Sequence, residues 1–147
     1  MFYTDLTEEE KVELAKFVEV LKVPKHDYVV REGEEGDAMF IVKSGWLEIQ
    51  KRIYEDNTKP LKQLSEGAIF GELSFLGAGQ RVADVVALED SEVLKLTQEG
   101  MQELNENDAG IMAKLYRNIA VDLAAKLHNT TTELRTAVYY AIEGLDA

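Results

Sequence analysis

Between Asp108 and Glu143 the chain has no proline, and its glycines in that region stand at 110 and 144, near the two ends. Proline removes an amide and clashes with the preceding turn, and interior glycine weakens a helix, so a run avoiding both predicts one unbroken helix. About 36 residues at 1.5 Å each make a rod of roughly 54 Å. Along it Tyr116, Ala120, Leu123, Leu127, Thr130, Leu134, Ala137 and Ala141 recur at alternating spacings of four and three, a heptad seam. The rest of one ordinary domain is too small to cover such a rod, so its distal half needs a partner. A second copy is the simplest, giving a homodimer; a helix folded back on its own domain is the alternative.

Upstream, Thr7-Glu8-Glu9-Glu10 fits a capping box and predicts a helix over Glu8 to Phe17 with Val12, Leu14 and Ala15 inward. From Val20 to Leu96 the texture changes to short β-branched and aromatic runs. These are Asp27–Val30, Met39–Val42, Trp46–Ile49 and Glu92–Leu96, with turn signals at Gly33, Gly36, Ser44-Gly45, Asp56-Asn57 and Glu89-Asp90. Strands this short and this regularly interrupted predict an all-β sandwich or roll. Thr97 reads as an N-cap for a short helix over Gln98–Leu104. The expectation is one domain over residues 1–147: a helix within 1–19, a β part over 20–97 and helices over 98–147.

Charge and composition narrow the partners. Sixteen basic against twenty-eight acidic residues give a net charge of −12. Nucleic-acid binding depends on neutralising phosphates with Lys and Arg, so no nucleic-acid partner is expected. No apolar run approaches the roughly 18 to 20 residues that span a bilayer, and Met1-Phe2-Tyr3-Thr4-Asp5 is no signal peptide, so no membrane partner is expected. Zero cysteines and only His26 and His128 leave no disulfide, thiolate or multi-histidine metal centre. A cytoplasmic location suits this composition, and no cofactor is expected.

Within the β part, Phe70-Gly71-Glu72-Leu73-Ser74 is followed at short range by Gly77-Ala78-Gly79 and Arg81-Val82-Ala83-Asp84-Val85-Val86-Ala87. A glycine–acid pair opens a short helical turn, whose first amides point outward and suit a phosphate. Arg81 supplies a planar fork of donors for an anion. Glu72 can accept from a sugar hydroxyl. Taken as residues alone, Glu72 also fits an acid complementing a helix dipole, and Arg81 a surface ion pair. Arg81 is followed by small and apolar residues broken only by Asp84, the context of a partly buried charge that needs a partner. Phe70 and Phe75 read as core, as do Met39, Ile41, Leu47 and Ile49; Trp46 has no assigned role. Together these parts suit recognition of a phosphorylated ribose, and none of them is expected to perform chemistry on it.

At these residues the chain resembles the cyclic nucleotide-binding domain family. Phe-Gly-Glu-Leu followed by Arg-x-Ala-x-Val-x-Ala looks like its phosphate-binding cassette, here residues 70–87, and Arg31 to Ile49 looks like its β-roll signature. The resemblance implies a mainly β fold, a jelly-roll-like double-stranded β-helix flanked by an N-terminal helix and a long C-terminal helix. It implies that Glu72 accepts from the ribose 2′-hydroxyl and that Arg81 pairs with the cyclic phosphate. Gly71, Leu73, Ser74 and Val82 would offer amides. Val82 stands where relatives often carry Ser, Thr or Ala, and lacking a hydroxyl it leans the site towards cAMP. Asp84 stands where many relatives have Ser or Thr; strand alternation points it outward, and the other orientation would aim it at the phosphate. The run Leu123–Glu133 resembles the long helix of bacterial members, implying that Thr130 and Thr131 reach the adenine amino group, one of them from the other subunit. Thr130 as a mere register residue of the seam is the alternative.

The function so implied is a regulatory or sensor module for a cyclic nucleotide, cAMP first. It acts on an unknown downstream protein through ligand-linked movement of the C-terminal helix in a homodimer. The alternative is an interaction and dimerisation module with a vestigial pocket. An enzyme of the cupin type needs a cluster of metal ligands that two distant histidines do not supply. Family members that bind DNA carry a helix-turn-helix after the long helix, and this sequence stops at Ala147.

Overall fold

The strand that organises the fold is Ala38–Ser44, whose first five residues are all buried. A strand buried on both faces reads as a continuous apolar run rather than an alternating one. Met39 and Ile41 face one core, shared with the helices, while Ala38, Phe40 and Val42 face a second core inside the roll. Each fully buried aliphatic side chain contributes roughly 1.5–3 kcal/mol of transfer free energy.

The computed structural model describes residues 2–55, 57–77 and 79–146; Met1, Asp56, Ala78 and Ala147, each part of a sequence feature named above, lie outside them. In chain order the elements are α1 (Glu8–Ala15), β1 (Glu19–Val23), β2 (Tyr28–Val30), β3 (Ala38–Ser44), β4 (Leu47–Tyr54), β5 (Asn57–Leu64) and β6 (Ile69–Phe70). Then come α2 (Glu72–Phe75), β7 (Asp84–Ala87), β8 (Ser91–Thr97), α3 (Gln98–Asn107) and α4 (Ala109–Asp146). Two antiparallel four-stranded sheets, β1-β8-β3-β6 and β2-β7-β4-β5, enclose the inner core. Helices α1, α3 and the start of α4 cover the outer face of the first sheet through Leu14, Leu104, Ile111, Leu115 and Ile119. This is the jelly-roll-like β-roll between an N-terminal and a long C-terminal helix that the motifs imply.

Thr7 caps α1 as expected, its hydroxyl accepting from the Glu10 amide at 3.1 Å while Glu10 accepts from the Thr7 amide at 3.0 Å. The helix nevertheless stops at Ala15, two residues short of Phe17, because the Lys16 and Phe17 amides take carbonyls three residues back and tighten the last turn. Only Leu14 is buried; Val12 and Ala15 are exposed, since a two-turn helix rests on the sheet by one edge. Of the turn signal at Asp56-Asn57, Asp56 lies outside the described residues; Asn57 pairs with Tyr54, and Glu55 takes φ 48°. Thr97 caps α3, which runs on to Asn107.

Helix α4 packs on the domain through Ile111, Leu115, Asn118 and Ile119. The Asn118 Nδ2 donates to the Phe2 and Thr4 carbonyls at 2.8 and 2.9 Å, tying the N-terminal segment to the helix. The heptad seam is therefore not an inner line of this chain. Tyr116, Leu127 and Leu134 are 48, 70 and 64 % exposed, and only Leu123 touches the core. One residue step turns a helix about 100°, which separates the seam through Tyr116 from the packed stripe through Leu115. Among the described residues no helix is long and apolar enough to cross a membrane.

Candidate functional site

Strand β6 ends at Phe70, and Gly71 then takes φ 77°, a left-handed conformation open to glycine at little cost. That reversal starts the single turn α2. Gly71 also permits close approach: a Cβ there would lie 2.8 Å from the Arg81 Nη1. Phe70 stacks on Phe40 at 5.1 Å and anchors the turn in the inner core, and Phe75 is equally buried.

Arg81 is 8 % exposed, although charged. Its guanidinium lies against the backbone of Gly36, where a Cβ would sit 2.5 Å from Nε, and Nη1 donates to the Gly71 carbonyl at 3.0 Å. Its own amide and carbonyl are paired to the Glu34 carbonyl and the Gly33 amide at 2.9 and 2.8 Å. No carboxylate of the described residues comes within ion-pair distance of it. Burial pulls its pKa down, and only the more distant Asp37 and Glu34 push it back up. Of five donors in its fork, one is spent on a neutral acceptor, so the site presents an unpaired buried cation.

That cation faces a cavity of about 270 Å³, lined also by Glu72, Ser74, Lys126, Thr130 and the apolar Ile49 and Val85. Ile49 is half-buried: it packs against the inner core and also forms part of the cavity wall. Glu72 is 5 % exposed, and its Oε1 accepts from the Lys126 Nζ at 2.5 Å. The same ammonium donates to the Ile69 carbonyl at 2.9 Å and lies 2.8 Å from Asp122 Oδ2. Burial opposes the charge on Lys126, but Glu72 and Asp122 outweigh it and hold the pKa above the ordinary lysine value. Sequence reasoning missed Lys126. With Asp122 four residues before it, it reads as a helix-surface ion pair; its only signal was sharing a helix face with Thr130, one turn on.

The cavity brings together Gly71, Glu72, Leu73, Ser74, Arg81, Val82 and Thr130. Ser74 is buried, whereas Leu73 and Val82 stand on the rim at 42 and 57 % exposure. Thr131 is not part of this wall. It is exposed, and its hydroxyl donates back to the Leu127 carbonyl at 2.8 Å. Thr132 and Thr136 back-bond in the same way, but Thr130 does not. Asp84 follows neither orientation considered from the sequence. It is 2 % exposed and absent from the cavity wall, its Oδ1 accepting from the Glu32 amide at 2.7 Å and its Oδ2 lying 3.7 Å from Arg52 Nε. Alternation fails there because all four residues of β7 are buried, with the Glu32 amide and Arg52 lying against Asp84 on what would be the solvent face.

A family model described as the cyclic nucleotide-binding domain matches residues 20–108. The cAMP-dependent protein kinase regulatory subunit of Emericella nidulans is 33% identical over 95 residues, which are 65% of this chain and 22% of that protein. The cyclic AMP receptor protein of Thermus thermophilus is 30% identical over 126 residues, 85% of this chain and 56% of that protein. The crystal structure of Thermus thermophilus catabolite activator protein aligns with a TM-score of 0.81 at 28% identity, covering 90% of this chain and 61% of that one. The chain therefore spans about a fifth of the kinase regulatory subunit and little more than half of the receptor protein.

Proposed function

The chain belongs to the cyclic nucleotide-binding domain family, and from that premise we propose that it is a cAMP-responsive regulatory module working as a homodimer through α4. The observation that carries the reading is Arg81: a buried guanidinium, open to a cavity, with no ion-paired carboxylate among the described residues. A cyclic phosphate supplies one negative charge and acceptor oxygens matched to that fork. The first amides of α2 have no intrahelical partner and add donors on the same side.

Glu72 supports the sugar half of the reading. Its Oε1 is taken by Lys126, while its Oε2 makes no hydrogen bond within the described residues and is open to a ribose hydroxyl. Ligand and helix α4 then share one carboxylate. Thr130, one turn beyond Lys126, lines the cavity from the same helix face. A base seated there would touch α4 directly, so ligand and helix position are linked. The ligand shifts the helix only by its differential affinity for the two arrangements.

Leu127 and Leu134, exposed along the seam, support the dimer, because a second copy would cover both. A cytoplasmic regulator acting on a protein partner fits the acidic, cysteine-free composition. Calorimetric titration of protein stripped of co-purified nucleotide with cAMP, cGMP and a cyclic dinucleotide tests the reading. Saturable binding with cAMP tightest is expected; no heat with any of the three refutes it.

A further inference from the structure

Four side chains of alternating sign surround the backbone that carries Arg81. Asp84 accepts from the Glu32 amide and faces Arg52. The Glu32 carboxylate pairs with Lys51 and accepts from the Arg52 amide at 3.3 Å. Lys51 closes the ring by donating to the Val82 carbonyl at 2.8 Å. Two cations and two anions leave the ring neutral, so it adds no net charge that would compensate Arg81. What it holds is main chain. The Glu32 amide precedes Gly33, which donates to the Arg81 carbonyl, and the Val82 carbonyl follows Arg81 directly.

We propose that Asp84 is a positioning residue for phosphate capture: through the ring it fixes loop 31–36 against residues 81–82 and so presets Arg81. The proposal rests on the nucleotide-binding reading above. Asp84 is the member of the ring fully removed from water, and a buried carboxylate carries a desolvation cost that only hydrogen bonding and pairing can offset. Its two oxygens serve two different elements, the β2–β3 loop and strand β4. Loop 31–36 in turn supplies the Gly36 surface on which the guanidinium lies. A loosened loop would leave Arg81 intact but uncommitted, and part of the binding free energy would be spent on ordering it.

The test is a cycle of variants titrated with cAMP. Asp84→Ala removes both contacts; Asp84→Asn keeps an acceptor for the Glu32 amide. Asp84→Ala is expected to weaken binding roughly tenfold or more, and Asp84→Asn to stay within about threefold of wild type. Added to Arg81→Ala, the alanine change is expected to cost almost nothing further, since Asp84 acts through Arg81. A general loss of packing would instead lower affinity equally in both backgrounds, and that result overturns the proposal. So does Asp84→Ala binding like wild type while Arg81→Ala does not, which leaves the nucleotide reading standing. Wild-type protein that binds no cAMP removes both. Should Asp84→Ala not fold, Lys51→Met releases the Val82 carbonyl and the Glu32 carboxylate from a more exposed position and leaves both Asp84 contacts in place. It is expected to weaken cAMP about threefold or more in the wild-type background and not in Arg81→Ala. Faster amide exchange at Gly33 and Arg81 is expected in Asp84→Ala and not in Asp84→Asn.

Discussion

Replacing Lys126 with methionine keeps the length and apolar stem of the side chain and deletes its charge. In the structure that charge answers Glu72 at 2.5 Å, Asp122 at 2.8 Å and the Ile69 carbonyl at 2.9 Å, with the lysine side chain 27 % exposed. One hydrogen bond between charged groups is worth about 1.5–3 kcal/mol, and stranding the partner of a buried pair costs up to about 3–5 kcal/mol. Partial exposure places Lys126 at the lower end, near 2 kcal/mol. The loss divides between two readouts. Thermal unfolding of the nucleotide-free protein should fall by several degrees, because α4 is no longer tied to the cassette. Affinity for cAMP should fall roughly fivefold, about 1 kcal/mol, because an unanswered Glu72 carboxylate then faces the cyclic phosphate. Differential scanning calorimetry and isothermal titration measure the two. Lys126→Arg, which restores the charge, should recover most of both. If Lys126→Met melts and binds like wild type, the lysine is a surface group and the coupling of α4 to Glu72 is wrong.

Arg81→Ala should weaken cAMP on the order of 30-fold to several thousand-fold, read by titration, since a buried charge pair would lose one member. Leu134→Glu should convert a dimer, seen as twice the chain mass in sedimentation, into monomer; a wild-type monomer at high concentration would mean that nothing covers the seam. Thr130→Val should weaken cAMP roughly 2- to 13-fold and leave cyclic inosine monophosphate nearly unchanged, with equal losses showing that the hydroxyl does not read the amino group. On the acid side, Glu10 is held below its ordinary 4.5 by hydrogen bonding to Lys114, and Glu32 by hydrogen bonding to Lys51. Depressed carboxylates stabilise above the unfolded pKa and lose that contribution as pH falls through the folded one, so Lys114→Met should flatten the loss of stability below about pH 4.5.

The features legible in the sequence were those written in short spacings. The Gly71-Glu72 pair, the Thr7–Glu10 box and the Thr97 cap each depend on neighbours within four residues, and each lies where its pattern indicated. Lys126 is different, since its meaning comes from Glu72, 54 positions away. Asp84 misled for a related reason. Alternation presumes a wet face, and whether a face is wet is decided by Glu32, 52 residues upstream, and by Arg52 on the neighbouring strand. The heptad was visible in Leu127 and Leu134, but periodicity fixes a stripe and not what lies against it. Only the packing of Leu115 and Ile119 shows that the domain takes a different side of the rod.

Because α4 runs without a break from Ala109 to Asp146, it would act under the proposed function as a lever. With Ile119, its last fully buried residue, taken as fulcrum and Leu123 still touching the core one turn on, Lys126 sits seven residues beyond that fulcrum, about 10 Å along the axis. Gly144 is 25 residues beyond, about 37 Å. A tilt that shifts Lys126 by half an ångström at the cassette therefore sweeps the far end by nearly 2 Å, a gain of about 3.6 set only by the rise per residue. That displacement rivals the size of a methyl group, enough to bring one apolar side chain out of register with its opposite number. Under the proposed function, a small movement of the salt bridge at the pocket would thus be geared up at the tip.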